Sequence, residues 1–344
     1  MMSGKSTALK LLGLGVLLAF PFIPFLSSEY VLHVAVLIMV YAVLAMGLNV
    51  LPGFCNLLDL GYVGFYGIGA YTAGILSLNY DMSFWLVVPM AAALGALCGV
   101  LRGAPTLRLS GDYFAIVTFG FTELVVLFLT NEIWLTRGPL GMPGIPPIDI
   151  NLAWLGIDWR YDFMSETPYY YLGLLMVAFV YVVMCRIEDS RLGRAWLAIK
   201  EDPLAAASCG INLMVYKSVA FAFSAAVGAL AGCFMARWSM FLAPDVFKFW
   251  ESFLVLCMIV LGGLGNIKGA IVGSIVLIAL GEVLRVVLPH FGLPTETRFL
   301  AYGLLMILIM RFKPGGFFPA IAATSKNSRL IMDLKARLQA ERAG

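Results

Sequence analysis

The sequence predicts an all-α protein, a polytopic bundle of helices that cross a lipid bilayer. Hydrophobic residues make up 61% of the 344 residues and charged residues only 12%, whereas a soluble domain is about 45–50% apolar and about 25% charged. Apolar runs of membrane-crossing length recur along the chain, and basic residues concentrate in alternate loops between them. Together these observations indicate that lipid, rather than a single soluble core, covers much of the apolar surface.

Individual spans are predicted wherever about 20 consecutive residues are mostly apolar. The first such run follows Lys5 and Lys10 and resembles a signal peptide, but it is long for one and lacks a clear small-x-small cleavage site. We therefore interpret it as an uncleaved span. The sequence predicts about ten spans, at residues 9–27, 30–50, 58–78, 84–104, 113–130, 169–186, 216–237, 250–265, 268–288 and 298–311.

Basic residues predict the orientation of these spans. When the N-terminus is placed in the cytoplasm, most of the 23 Lys and Arg residues fall in cytoplasmic loops or at cytoplasmic span ends, as the positive-inside rule requires. Both termini are then cytoplasmic. The predicted division is a transmembrane domain over residues 1–315 and a basic cytoplasmic tail over 316–344, with loop 131–168 outside and loop 190–212 inside.

Glycines recur at helical spacing within several spans, and such ridges let helix backbones approach closely in lipid. Segment 61–74 is especially rich in glycine, and both tight packing and a wall beside a solute pathway fit that composition. The clearest ridges are Gly95/Gly99/Gly103, Gly228/Gly232 and Gly265/Gly269/Gly273.

Ionisable residues inside the spans are functional candidates, because a charge in a bilayer is costly. Glu282 and Arg285 are spaced i, i+3 on one helix, which predicts a structural pair. Asp59 and Glu251 lie near predicted span ends, where we expect water to reach them. Glu123 is the deepest, and it either faces a polar pathway or bonds to neighbouring backbone.

Signs of enzyme chemistry are absent from the sequence. Only two histidines occur, and the six cysteines form no CxxC pair, so we expect no metal site. Gly4-Lys5-Ser6-Thr7 resembles the end of a P-loop, but no strand or earlier glycine can precede it. We expect no cofactor and no ATP hydrolysis by this chain alone. The net charge of +3 is too small to indicate a nucleic-acid partner.

The cytoplasmic loop 190–212 is charged, rich in alanine and predicted to be helical. Glu201 and Asp202 suit the start of a short helix, Pro203 its first turn and Gly210 its C-terminal cap. The pattern predicts a rigid helix at about 202–209 that inserts into a groove on another protein. A plain loop between two spans is the alternative.

Several of these stretches resemble a known family. Residues 201–210 resemble the Glu-Ala-Ala…Gly loop of bacterial ABC importer permeases, and 190–212 resembles its form in branched-chain amino-acid permeases of the LivM type. Three further stretches agree: Gly47-Leu48-Asn49 with 61–76, the run 111–141, and Gly262-Gly263-Leu264-Gly265-Asn266-Ile267-Lys268-Gly269. Where the family usually has a Gly-Gln-x-Ser-like stretch, this chain has Cys55-Asn56-Leu57-Leu58-Asp59. Urea and short-chain amides therefore stay open as substrates beside branched-chain amino acids.

The resemblance implies a multi-pass permease subunit in the bacterial inner membrane. Its implied partners are the lipid bilayer, a second homologous permease, two cytoplasmic ABC ATPases, and a periplasmic or extracellular substrate-binding protein. No nucleic acid is implied. The residues implied to couple to the ATPases are Arg191, Gly193, Arg194, Glu201, Asp202, Ala205, Ala206 and Gly210.

For the solute pathway, the sequence points to the start of the fifth span. Tyr113, Phe114 and Thr118 would form an aromatic and hydroxyl lining that passes a zwitterion with a branched side chain, and Asn49 and Glu123 are further candidates. Packing or lipid-facing aromatics are the alternative. A secondary carrier driven by an ion gradient is the rival function, but a single deep acidic residue argues against it.

Overall fold

A computed structural model describes residues 20–22, 28–106, 111–151, 160–163, 165–292, 294–313 and 315–318. Almost all of the first predicted span, 9–27, and of the predicted tail, 316–344, lies outside these residues. In the described part, helices predominate and the only sheets are two antiparallel pairs of short strands. The all-α prediction is confirmed.

Thirteen α-helices follow one another in the described part of the chain. They are α1 (Glu29–Leu48), α2 (Val50–Cys55), α3 (Val63–Tyr80), α4 (Phe84–Thr106), α5 (Asp112–Asn131), α6 (Ile133–Thr136), α7 (Glu166–Glu188), α8 (Arg191–Glu201), α9 (Pro203–Ser208), α10 (Leu213–Ser239), α11 (Phe249–Gly262), α12 (Ile267–Val287) and α13 (Arg298–Phe312). The strands are β1 (Met142–Pro143), β2 (Asp149–Asn151), β3 (Arg160–Asp162) and β4 (Phe241–Leu242).

Six helical segments in the described residues are long and apolar enough to cross a membrane: Glu29–Cys55, Phe84–Thr106, Tyr113–Asn131, Glu166–Glu188, Leu213–Ser239 and Ile267–Phe291. The α11 helix is apolar but shorter. Each predicted span from 30–50 onward coincides with a helix, with ends shifted by a few residues. The largest shift is at α3, which begins at Val63 because Asn56 adopts a left-handed backbone (φ 54°) and residues 56–61 form a loop.

The α10 helix lies at the centre of the bundle, packed against α3, α4 and α1. A Cβ atom at Gly99 would lie 2.7 Å from both the Ala225 Cβ and the Phe221 carbonyl oxygen, and one at Gly95 would lie 2.5 Å from the Ala229 Cβ. The predicted glycine ridge of α4 therefore packs directly on α10. Glycines let these backbones approach closely, as small residues do between membrane helices.

Gly69 tests this packing most sharply, because a Cβ there would lie 2.1 Å from the Ala229 carbonyl oxygen and 2.4 Å from the Ala229 Cα. Since backbone must move, we expect Gly69→Ala to cost about 1–3 kcal/mol. The matched control is Gly303→Ala in α13, where nothing lies within 4 Å, and there we expect a gain of up to about 1 kcal/mol. Thermal unfolding in detergent measures both, and equal melting temperatures would contradict the close approach.

Loop 131–168 carries ordered structure that joins it to the rest of the bundle. Strand β1 pairs with β4, which follows α10, and β2 pairs with β3 inside the loop. The buried Arg237 guanidinium donates through Nη2 to the Met82 carbonyl (2.6 Å) and through Nη1 to the carbonyls of Pro146 (3.3 Å) and Pro147 (3.2 Å). A single side chain of α10 thereby ties this loop to the link between α3 and α4.

Candidate functional site

The predicted short helix between two spans is present as α9, and side chains cap both it and α8. The Ser190 hydroxyl accepts hydrogen bonds from the backbone N–H groups of Leu192 (3.1 Å) and Gly193 (3.5 Å) at the start of α8. At the start of α9, Asp202 Oδ1 accepts from the N–H groups of Leu204 (2.8 Å) and Ala205 (3.1 Å). Caps of this kind satisfy orphan donors and fix where a helix begins.

The C-terminal end of α9 is closed by a glycine turn. Gly210 has φ +84°, and its N–H donates to the Ala207 carbonyl (3.0 Å) while the Ile211 N–H donates to the Ala206 carbonyl (3.1 Å). These two bonds form a Schellman motif, which requires the left-handed backbone that glycine adopts without strain. The helix is therefore short because both of its ends are specified by sequence.

The surface of α9 is almost wholly exposed. Ala206 is its only buried residue, and the Leu204 side chain is 80% exposed. Glu201, Asp202 and Gly210 are exposed on either side of it. An exposed leucine beside two carboxylates is a suitable surface for a partner protein.

The predicted coupling residues of α8 divide into two kinds. Arg191 and Arg194 are exposed, and Arg194 Nη1 donates to the Asp189 carbonyl (2.9 Å). Gly193 is buried, and a Cβ there would lie 2.4 Å from the Glu188 carbonyl oxygen. Gly193 thus permits the tight turn from α7 into α8, while the arginines face outward.

The α8 helix joins exposed α9 to the bundle through two side chains. The buried Trp196 donates from Nε1 to the Tyr216 carbonyl in α10 (2.8 Å), and Lys200 Nζ donates to the Gly53 carbonyl in α2 (2.8 Å). The hydrophobic face of α8 covers the bundle, as an amphipathic helix requires. A movement of α9 would therefore reach the bundle through α8, at its contacts with α2 and α10.

Asn49, a predicted pathway residue, lies buried at the junction of α1 and α2, where its own backbone is helical. Its Oδ1 accepts from the Gly265 N–H (2.9 Å), and its Nδ2 donates to the Asn266 carbonyl (3.2 Å). These bonds join the α1–α2 junction to the loop between α11 and α12. The Asn49 side chain therefore acts as a clamp between the α1–α2 segment and the α11–α12 loop.

Replacement of Asn49 by alanine is expected to leave the Gly265 N–H and the Asn266 carbonyl without the partner they have here. Each lost hydrogen bond of this kind typically costs about 0.5–1.5 kcal/mol, so we expect the melting temperature in detergent to fall clearly. Asn79→Ala is the control, because Asn79 is exposed near the end of α3. An Asn49→Ala protein as stable as its parent would contradict the clamp.

Two other pathway candidates, Phe114 and Thr118, make contacts inside the bundle. Phe114 is buried with its ring 5.8 Å from that of Phe221. The buried Thr118 hydroxyl accepts from the Leu60 N–H (3.1 Å) and donates to the Ala115 carbonyl (2.9 Å). Packing and loop attachment thus account for both residues.

The side chains of Tyr113 and Glu123, by contrast, are exposed or partly exposed at the surface of the chain. Tyr113 is 73% exposed, and Glu123 is half-buried with no hydrogen bond or ion pair to any residue that the structure describes. Both lie on α5. This helix therefore presents an aromatic ring near its start and an intramembrane carboxyl along its length to whatever surrounds the chain.

A buried ion pair between Asp59 and Arg102 was missed from the sequence. Arg102 donates to the Asp59 carboxylate from Nη1 (3.1 Å to Oδ1) and from Nη2. Neither side chain is more than 3% exposed. The guanidinium lies 4.4 Å from the Phe65 ring centroid, with Phe121 and Phe221 beside it. The expectation that water reaches Asp59 was wrong, because the loop before α3 folds inward against α4 and α5.

Asp59 also organises its own loop. Its Oδ1 accepts from the Gly61 N–H (2.8 Å), and a Cβ at Gly61 would lie 2.0 Å from the Thr118 carbonyl oxygen. The loop, α4 and α5 therefore meet at one polar cluster within an apolar bundle. The closest sequence signal was an Asp two residues before a Gly, which is too common to identify a partner.

Two further intramembrane acids, Glu251 and Glu282, have partners. Tyr41 donates from its hydroxyl to Glu251 Oε2 (2.5 Å). The predicted pair between Glu282 and Arg285 is confirmed, with 3.3 Å between Oε2 and Nη1. Tyr30 also donates to Glu282 Oε2 (2.7 Å). Hydrogen bonds of this kind are the usual way to accommodate carboxyl groups in a membrane.

Comparison with known proteins decides the family. The model of the family described as branched-chain amino acid transport system / permease component matches residues 30–310. The chain belongs to this permease family. No solved structure matches it.

The chain is similar to two kinds of permease within this family, LivM and LivH. It is 38% identical to the high-affinity branched-chain amino acid transport system permease protein LivM of Escherichia coli, over 86% of this chain and 72% of LivM. It is 25% identical to LivH of the same organism, over 80% of this chain and 90% of LivH. A probable LivM of Methanocaldococcus jannaschii is 26% identical over 68% of each chain. Family membership and apolar spans together make the chain a multi-pass protein of the bacterial inner membrane.

Proposed function

We propose that the chain is the transmembrane permease subunit of an ATP-driven, binding-protein-dependent importer of branched-chain amino acids. The observation that carries the proposal is α9, a capped and exposed helix between two spans of a permease-family chain. A helix of this kind offers an ATPase a rigid surface to bind. Rigid-body movement at such a contact is a common way to bias a two-state protein.

The proposed topology has about ten spans with both termini in the cytoplasm. Nine of these spans would be helices α1, α3, α4, α5, α7, α10, α11, α12 and α13, and residues 9–27 would form the first. Loop 190–212 would then face the cytoplasm and loop 131–168 the outside. The transmembrane domain would occupy 1–315 and the cytoplasmic tail 316–344.

The proposed assembly contains a second homologous permease, two ABC ATPases and an external binding protein. Similarity to both LivM and LivH supports a pair of related permeases. ATP hydrolysis would belong to the ATPases, which we propose contact Glu201, Asp202, Ala205, Ala206 and Gly210, with Arg191 and Arg194 alongside. Gly193 would shape the turn beneath them.

The proposed solute pathway runs beside α5. Glu123 supports it best, because its carboxyl is half-buried and unpaired within the described chain. Tyr113, near the start of α5, would lie at the cytoplasmic end of the pathway, where an imported solute leaves. Asn49, Phe114 and Thr118 would support the wall through the contacts described above.

Uptake by the reconstituted importer tests this function. Proteoliposomes that contain the chain with its co-expressed partner subunits should accumulate labelled leucine only with ATP and binding protein present. Unlabelled isoleucine and valine should compete, and urea should not. Uptake that persists without ATP but collapses with a protonophore would instead establish a secondary carrier.

A further inference from the structure

The contact between α8 and α2 joins the ATPase-facing loop to the last turns of a membrane span. Lys200, half-buried in the last turn of α8, donates from Nζ to the Gly53 carbonyl at 2.8 Å. Gly53 lies in the last turn of α2, where carbonyl groups lack donors from their own helix. A lysine ammonium is well suited to such a carbonyl, because it is a cation at a helix C-terminus.

The α2 helix sits directly on the loop between α11 and α12. A Cβ at Gly53 would lie 2.7 Å from Asn49 Oδ1 and 2.8 Å from the Gly265 Cα. Asn49 in turn bonds to Gly265 and Asn266. A displacement of α2 therefore displaces Asn49 and this loop as well.

The same loop is held on another side by the residues after α13. The Phe317 N–H donates to the Leu261 carbonyl (2.9 Å) and the Phe318 N–H to the Gly262 carbonyl (2.8 Å). A Cβ at Gly263 would lie 2.1 Å from the Phe318 carbonyl oxygen. The loop from Gly263 to Asn266 is thus where α2, α11, α12 and the chain after α13 meet.

We propose that Lys200 is a positioning residue that transmits movement of α9 to α2, and through Asn49 to the α11–α12 loop. The inference rests on the proposed function, since it needs an ATPase to move α9. The other attachment of α8, Trp196 to Tyr216, lies on central α10 and holds α8 in place. Lys200 is the attachment that reaches α2 and, through α2, the α11–α12 loop.

The test uses the whole reconstituted importer and measures leucine uptake and ATP hydrolysis in the same proteoliposomes. Lys200→Met keeps the length of the side chain but removes its donor. We expect the ATPases to co-purify and hydrolyse ATP as before, while leucine transported per ATP falls about five-fold or more. Lys200→Arg restores the donor and should recover most of the ratio.

The matched control is Lys268→Met, because Lys268 is exposed on the same end of the bundle. It should leave the ratio unchanged. An unchanged ratio in Lys200→Met would overturn the inference, as would loss of the ATPases, since Lys200 would then serve docking rather than transmission. Failure of the parent importer to take up leucine would overturn the proposed function instead, so the two failures are distinguishable.

Discussion

Reversal of charge at Glu201 is expected to reduce ATP-driven leucine uptake by about tenfold or more, because like charges brought together at an interface cost several kcal/mol. Glu201 is exposed at the end of α8 and adjoins Asp202, the residue that caps α9. Glu201→Lys therefore changes the surface offered to the ATPases without removing a buried contact. Uptake and co-purified ATPase are measured on the same preparation.

The control for this variant is Glu296→Lys, an equal charge change at an exposed position at the opposite end of the bundle. It should leave uptake near the parent level. Glu201→Gln removes the charge without reversing it and should fall between the two. Normal uptake by Glu201→Lys, with its ATPases bound, would show that α9 is not the docking helix.

Removal of Arg102 is expected to have the largest effect on stability. Arg102→Leu leaves the Asp59 carboxylate buried with only the Gly61 N–H among its present partners. An uncompensated buried charge costs about 3–5 kcal/mol, so the variant should lose most of its apparent stability in detergent. Thermal unfolding followed by scanning fluorimetry measures the loss.

A double variant separates this pair from simple packing. Asp59→Asn combined with Arg102→Leu leaves no charge buried, and the amide oxygen still accepts from Gly61. We expect it to be more stable than Arg102→Leu alone, with a coupling of about 1–3 kcal/mol. Arg285→Leu is the control, since its pair is more exposed (57% for Arg285) and worth at most about 1 kcal/mol. Strictly additive losses would contradict the buried pair.

The parts of this fold that sequence predicts are those fixed by local pattern. Apolar runs predict the helices, because a segment that crosses lipid must pair its backbone N–H and C=O groups within itself, as a helix does. Asp202, Pro203 and Gly210 give the bounds of α9, because caps and turns act over a few residues. The Gly95/Gly99/Gly103 ridge predicted close packing, although it did not identify α10 as the partner.

Contacts between distant segments could not be predicted in this way. Asp59 and Arg102 are 43 residues apart, and Lys200 and Gly53 are 147 apart. Each residue alone has an ordinary interpretation, as a span end or a loop charge. Only the fold brings the loop before α3 against α4, or the end of α8 onto α2. The role of Asn49 likewise depends on the α11–α12 loop, which lies more than 200 residues away.

The most direct measurement of the central claim is an affinity purification of the tagged chain in mild detergent, with co-purifying subunits identified by mass spectrometry. A permease of an ATP-driven importer should bring a second permease and P-loop ATPases with it. The ATPases should be lost from Glu201→Lys and retained by Glu296→Lys. A chain that purifies alone, under conditions in which a control importer stays assembled, would contradict the proposed function and favour a secondary carrier.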